Sequence, residues 1–158
     1  MAGLAASYGS GAMTNSIEEM EGADVLLLTG SNTTENHPII SQRIKQGVRR
    51  GMKLIVVDPR KIDLVEISTL WLRQKPGTDV AWINGMMRVI ISEGLWDRDY
   101  VEERTEGFEE LRKAVESFTP EVVERISGIP AADLIEAARL YASAEKASIA
   151  YAMGITQH

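Results

Sequence analysis

The sequence predicts an α/β fold with a mainly parallel sheet of about four strands and a helical second half. Three observations carry that expectation. Val25–Leu28 and Lys53–Val57 (KLIVV) are apolar runs of the kind found in strands buried on both faces of a parallel sheet. Between them Ile39, Ile40, Ile44 and Val48 fall on one stripe at helical spacing, which makes a strand–helix–strand unit with an expected right-handed crossover. Beyond Gly94 the apolar spacing is three or four until Ser148–Ala152 (SIAYA) returns to a short strand.

Residues 1–15, punctuated by Gly3, Gly9 and Gly11 and with Tyr8 as a large side chain, are expected to be irregular. Ser16 with Glu19 three residues on is a capping box for a short helix reaching about Glu21, closed by Gly22. A first strand over Asp24–Thr29 ends at Gly30, followed by a polar loop from Ser31 to His37. Pro38 suits the first turn of a helix running to Arg50, with Gly51 as C-cap. Asp58-Pro59-Arg60 ends the second strand abruptly. Ile67–Arg73 alternates enough for a third, less buried strand, and residues 74–79 (QKPGTD) form a turn with Thr78 or Asp79 placed to cap the next helix. That helix spans Val80–Glu93 with Ile83, Met86, Met87 and Ile90 inward, widened by Trp82 and Val89. Shorter helices are expected at Asp97–Arg104, Gly107–Phe118, Pro120–Ser127 and Pro130–Ser143, and the chain closes in a polar turn over Met153–His158. The resulting expectation is one domain over 1–158: an irregular segment (1–15), a βαβ nucleotide-binding part (16–94) and a helical part with the final strand (95–158).

The totals narrow the function classes. A chain of 158 residues with 44% hydrophobic content can bury one good core. Its net charge of −6, without a basic block, argues against a nucleic-acid partner. Without cysteine, the chain holds no disulfide, thiolate metal site or iron–sulfur ligand of its own. No run approaches the roughly 18 apolar residues of a membrane helix, and residues 1–16 lack the features of a signal peptide, so no membrane insertion and a cytoplasmic location are expected.

The polar residues sort by where strands end. In an open parallel sheet, ligands bind beyond the carboxyl ends of the strands. Four corners fall there: Gly30–His37, Asp58–Arg60, Lys75–Asp79 and Met153–His158. A strand, a Gly-led polar loop and a helix N-terminus form a place to hold an anion. The corners therefore divide a nucleotide between them: Gly30, Ser31 and Asn32 on phosphate, Asp58 on ribose hydroxyls, and Asp79 on a base with adjacent N–H donors, as guanine has. Structural readings stand beside these. Asp58-Pro59 is also a strand-ending turn, Asp79 also a helix cap, and the full GxGxxG fingerprint is absent. Glu35 and His37 fit an acid–base pair, metal ligands, or simply a carboxylate favoured by a helix dipole. Glu102, Glu103 and Arg104 read as a solvated face, and no nucleophile–base pair is evident.

GSNTTENHP after a GADVLLLT strand, then IVVDPR, LRQKPGTDVAWINGM, ERTEGFEEL and a final MGITQH resemble the catalytic subunit of molybdenum- or tungsten-dependent formate dehydrogenases, in the molybdopterin oxidoreductase superfamily. The resemblance covers nearly the whole chain. It implies a Rossmann-like, three-layer α/β/α domain holding one half of a bis-molybdopterin guanine dinucleotide cofactor with Mo or W. It places Gly30 to His37, including Glu35 and His37, on the pyrophosphate and ribose, and Val57, Asp58, Pro59 and Arg60 on the nucleoside. Gly77, Thr78 and Asp79 fall where guanine is read, and Met153 and Gln157 beside the pterin. The family's metal-ligating cysteine or selenocysteine and its 4Fe-4S module are not in this sequence, so no catalytic or metal-ligating residue is assigned. The expectation is a domain excised from a larger subunit, inactive toward formate by itself, whose partners are that cofactor, the remaining domains and electron-transfer subunits. Two alternatives are a stand-alone NAD- or nucleotide-dependent oxidoreductase and a non-catalytic subunit-interaction domain using acidic helices 97–143.

Overall fold

In a computed structural model, which describes residues 15–157 together with Ala6, Gly9 and Met13, the chain forms a three-layer α/β/α arrangement around a four-stranded sheet. Gly3, Tyr8 and Gly11, on which part of the irregular-segment expectation rests, lie outside the described residues, as does His158. The elements in order are α1 (Ile17–Glu21), β1 (Val25–Thr29), α2 (Thr33–Asn36), α3 (Pro38–Arg49), β2 (Lys53–Val57) and a 3-10 turn (Asp63–Ile67). Then follow β3 (Leu70–Leu72), α4 (Asp79–Ser92), α5 (Arg98–Arg104), α6 (Phe108–Val115), α7 (Pro120–Ser127), α8 (Ala131–Ala142), β4 (Ala147–Tyr151) and α9 (Met153–Thr156).

All four strands are parallel, in the order β3-β2-β1-β4. The chain moves outward from β1 to β2 to β3, then returns to the far side of β1. With one hand of crossover, two directions of travel put the connecting helices on opposite faces of the sheet. The packing shows this division. Leu26, Leu28, Leu54 and Val56 face α3 and the 3-10 turn through Ile44, Ile62 and Leu64. The alternate residues Val25, Leu27, Ile55, Val57 and Leu72 face α4, α7 and α8 through Trp82, Met86, Val123, Leu134 and Ala138. Apolar residues at consecutive positions of β1 are required because both faces are covered, and every residue of that strand is buried. β4 is an edge strand, as β3 is at the other side, and stays half open, with Ile149 and Tyr151 exposed.

Several expected boundaries change. Thr33–Asn36 coils into a short helix within the expected polar loop, closed by the amide of His37 donating to the Thr33 carbonyl. The third strand shrinks to Leu70–Leu72, because Asp63–Ile67 winds into the 3-10 turn and pairing with β2 begins only at Ile55–Leu70. The first helix of the second half ends at Arg104 as expected, whereas α6 stops at Val115 rather than Phe118. Thr78 stands at the N-cap of α4, but its hydroxyl donates to the Lys75 carbonyl at 2.6 Å instead of receiving a helix amide. Asp79 is the first helical residue, not the cap. β4 begins at Ala147, and the expected polar tail after it is the single turn α9. The capping box at Ser16 and Glu19 is present, with both reciprocal hydrogen bonds.

Two packing features generate tests. Gly85 of α4 lets α7 and α8 approach so closely that a Cβ there would sit 2.6 Å from Val123 Cγ2 and 3.0 Å from Leu134 Cδ2. Gly85→Ala is therefore expected to lose about 1–3 kcal/mol in urea unfolding despite the better helix propensity of alanine; an unchanged or raised midpoint would show that the helices can part. On the surface, Arg139 binds Glu93 through both Nε and Nη2 at 2.8 Å, and the guanidinium holds the Glu93 carboxyl below its ordinary value of 4.5. A lowered folded-state value stabilises above the unfolded value and is lost as pH falls through the folded one. The melting-temperature difference between the wild-type chain and Glu93→Gln should thus be present at neutral pH and vanish in acid below the carboxylate range. A difference that persists in acid would assign it to packing rather than charge.

Candidate functional site

The parallel sheet sends the carboxyl ends of all four strands to one edge, so the expected corners share that edge. The tightest meeting is between the first and last. Gly30 ends β1 with φ +59, and Gly154 donates its amide to the Gly30 carbonyl at 3.0 Å. A Cβ on Gly30 would lie 2.6 Å from the Gly154 carbonyl carbon, and one on Gly154 would lie 2.8 Å from Gly30 Cα. Two bare backbones therefore face each other where the sheet order switches direction, between β1 and β4. This places Met153, the first residue of α9, and Gln157, its C-cap, in the turn beside the Gly30 corner; both are exposed.

From Gly30 the chain turns through Ser31, which is buried, and Asn32, whose carbonyl accepts from the Asn36 side chain at 3.2 Å. Glu35 and His37 are exposed. His37 joins α2 to α3, and its carbonyl accepts the amide of Ser41 at 3.0 Å. Among the described residues no cluster of three or more His, Cys, Asp or Glu side chains could hold a metal ion. The metal-ligand reading of Glu35 and His37 thus finds no constellation around it.

The second corner is held by the third strand. Val57 is fully buried and receives the Gly30 amide on its carbonyl at 3.4 Å, which ties the first two corners together. Asp58 is 3% exposed, and its Oδ1 accepts the Arg60 amide at 2.8 Å, forming the turn that sequence alone also allowed. The Arg60 Nε lies 3.8 Å from the same oxygen. Trp71 donates to the Asp58 carbonyl at 2.9 Å, and Arg73 donates to that of Pro59 at 3.3 Å. Arg73 also stacks over the Trp71 ring at 5.6 Å. Both side chains come from the third-strand region, which sequence reading treated only as a strand.

The third corner hangs from α7, where the Lys75 amide donates to the Ser127 carbonyl at 2.8 Å. Gly77 turns with φ +78. Asp79 opens α4, and its Oδ1 accepts the Trp82 indole N–H at 3.2 Å, which orients the carboxylate at the helix start.

A further signal at this edge was missed in the sequence. Thr29, Thr33 and Gln74 are 2%, 3% and 6% exposed, and Thr29 Oγ1, Thr33 Oγ1 and Gln74 Oε1 have no hydrogen-bond partner among the described residues. A polar residue closing an apolar strand, such as Thr29, was the only available hint. A concavity of about 1220 Å³ lies at the opposite, amino edge of the sheet, beside Glu21, Asp24, Lys53 and Arg139. There several charged groups are engaged within the chain. Buried Glu21 pairs with Arg43 and Arg50, Asp24 accepts the Lys146 amide, and Arg139 holds Glu93. Polar capacity without internal partners belongs to the carboxyl edge instead.

Comparison with known proteins gives a consistent match over the chain. The pattern of the molybdopterin oxidoreductase family matches residues 3–158. The F420-dependent formate dehydrogenase subunit alpha of Methanocaldococcus jannaschii is 48% identical over 155 residues, 98% of this chain and 23% of that protein. Formate dehydrogenase H of Escherichia coli is 45% identical over 157 residues, 99% of this chain and 22% of that protein. Among solved structures, acetylene hydratase from Pelobacter acetylenicus superposes with a TM-score of 0.77 at 35% identity, covering 87% of this chain and 20% of that one. The chain thus spans less than a quarter of the length of these relatives.

The Gly30–Gly154 contact makes a direct prediction. Gly30→Ala meets both an unfavourable left-handed backbone and a filled space, so it should lose at least about 2 kcal/mol. Gly154→Ala meets the filled space and should lose about 1–3 kcal/mol. Urea unfolding of both variants checks this, and wild-type stability in either would mean that the two turns separate freely.

Proposed function

The chain belongs to the molybdopterin oxidoreductase family, and on that premise we propose that it is the domain that grips one molybdopterin guanine dinucleotide of a bis-dinucleotide Mo or W cofactor in a formate dehydrogenase. The observation that carries this reading is the bare-backbone corner at Gly30 and Gly154. Its bare backbones let the turns after β1 and β4 pack together, with the Gly30 and Gly154 amides holding them, and so set the loop that leaves β1 at the switch point, where an open parallel sheet receives a nucleotide.

The residues present suit that ligand in order along the edge. Gly30, Ser31 and Asn32, with Glu35 and His37 on the same connection, receive the pyrophosphate and its adjoining ribose. Val57, Asp58, Pro59 and Arg60 flank the nucleoside, with the Asp58 turn stiffened by Trp71 and Arg73. Gly77, Thr78 and Asp79 meet the base. Guanine offers N1–H and N2–H₂ side by side, and a carboxylate oriented by the Trp82 indole at 3.2 Å is a matched acceptor. Met153 and Gln157 on α9 extend toward the pterin side. When bound, the cofactor supplies the two-electron redox chemistry of formate oxidation; this chain's own residues bind and orient it. The sequence contains no cysteine, so a thiolate or iron–sulfur ligand would come from other parts of a longer protein. Electron-transfer subunits and the remaining domains are the proposed partners.

Titration calorimetry of the chain with GDP, pyrophosphate, AMP and NAD tests the reading. GDP should bind at least about tenfold more tightly than AMP or NAD. Asp79→Ala should weaken GDP by about ten- to a hundredfold and leave pyrophosphate unchanged, the loss expected for a charge-assisted hydrogen bond. A preference for NAD would favour a stand-alone dinucleotide-dependent oxidoreductase, and absence of any nucleotide binding would sink the proposal.

A further inference from the structure

Several arginines of this chain are paired with carboxylates: Arg43 and Arg50 with Glu21, Arg139 with Glu93, and Arg112 with Glu109. Arg73 is held differently. Its Nε donates to the Pro59 carbonyl at 3.3 Å, and its guanidinium carbon lies 5.6 Å from the centre of the Trp71 ring. A carbonyl and an aromatic face fix a guanidinium in place without cancelling its charge. Among the described residues no carboxylate pairs with Arg73 within 4.0 Å, and no hydrogen bond engages its two Nη groups. The residue is exposed, so those N–H donors are open to a ligand.

The sheet sets its place. Val57 and Leu72 are paired in register, so Asp58 and Arg73 are the first residues beyond two neighbouring parallel strands, which run about 5 Å apart. The Trp71 indole, which Arg73 covers, is itself tied to the Asp58 carbonyl. From Arg73 the chain passes into the turn that Lys75 anchors on Ser127 and Thr78 closes on the Lys75 carbonyl, and then reaches Asp79. Arg73 therefore stands between the corner assigned to ribose and the corner assigned to the base.

Guanine has edges of opposite chemistry. N1–H and N2–H₂ donate, which suits a carboxylate, whereas O6 and N7 accept, and a guanidinium fork matches that pair with two N–H donors. We propose that Arg73 is a specificity-determining residue that meets the O6/N7 edge of a bound guanine while Asp79 takes the donor edge. This rests on the guanine-nucleotide reading above and adds to it a residue outside Gly77–Asp79. Adenine carries an amino group where guanine has O6, so a guanidinium held there faces a donor and disfavours it. Because the ring and the Pro59 carbonyl hold the side chain before the ligand arrives, less freedom is lost on binding.

Calorimetry with GDP, 7-deaza-GDP and pyrophosphate tests this on the wild-type chain, Arg73→Ala and Arg73→Met. The deaza nucleotide replaces the N7 acceptor by C–H, and methionine keeps the indole covered without offering a donor. Wild type should bind GDP about three- to tenfold more tightly than 7-deaza-GDP, the equivalent of one hydrogen bond. Both variants should bind the two nucleotides alike, with GDP weakened about tenfold or more, and should bind pyrophosphate as wild type does. If Arg73 were only a brace for the Asp58 turn, the variants would weaken both nucleotides by the same factor and keep the wild-type ratio, and that result would overturn the inference. Equal binding of the two nucleotides by wild type would overturn it as well. So would a loss of pyrophosphate affinity as large as that of GDP, which would put Arg73 on the phosphates. Wild-type chain that binds no GDP would overturn the nucleotide reading and this inference with it.

Discussion

The structure turns on the contact between Gly30 and Gly154. A parallel strand pair needs only its ladder of hydrogen bonds to align, but the two turns that leave β1 and β4 must also clear each other. They do so with no side chain on either, and with one amide of the second turn donating to the carbonyl of the first. A Cβ on either residue would stand well inside contact distance of the other's backbone. That constraint brings a segment from the far end of the chain against the first loop, sets α9 beside it, and leaves a corner of exposed main chain at the point where the sheet reverses its order. The rest of the carboxyl edge is built outward from this corner: Gly30 is tied to Val57, Asp58 to the Trp71 indole, and Lys75 to the end of α7.

The two ends of the sheet treat polarity differently. At the amino edge, charges meet charges or amides within the chain: Glu21 with its two arginines, Asp24 with Lys146, Arg139 with Glu93. These contacts clamp α1 to α3 and the start of β4 to β1. At the carboxyl edge side chains brace the turns, Asp58 on the Arg60 amide, Trp71 and Arg73 on the carbonyls of Asp58 and Pro59, and Thr78 on that of Lys75. Among the described residues Thr29, Thr33 and Gln74 each bury an oxygen there without a partner.

The sheet itself was largely legible. Val25–Leu28 and Lys53–Val57 are strands because an apolar run closed by a turn has few other ways to satisfy its backbone when both faces are covered. The stripe of Ile40, Ile44 and Val48 forms the predicted helix for the same reason of period, whereas Ile39, expected on that stripe, stays exposed in the first turn. The four strand-end corners share one edge because all four strands proved parallel. Errors came where local signals were weak or reused. Ile67 has the β-branched character of a strand but is captured by a 3-10 turn, so β3 is only three residues long. Ser31–His37 contains the turn residues of a loop and still winds once into α2. Thr78 has the chemistry of a cap, yet its hydroxyl prefers the Lys75 carbonyl.

By itself the sequence determined the class of fold, the elements that carry the sheet, and the turns that follow each strand, because period and turn chemistry are local properties. Tertiary structure alone decided the strand order, and with it the meeting of Gly30 and Gly154. Two glycines far apart in sequence carry no mark of each other. It alone decided, too, that Trp71 and Arg73 would brace the Asp58 turn, and that Thr29, Thr33 and Gln74 would be buried without partners. Burial and hydrogen-bond satisfaction are properties of neighbours in space, and only the folded chain chooses those neighbours.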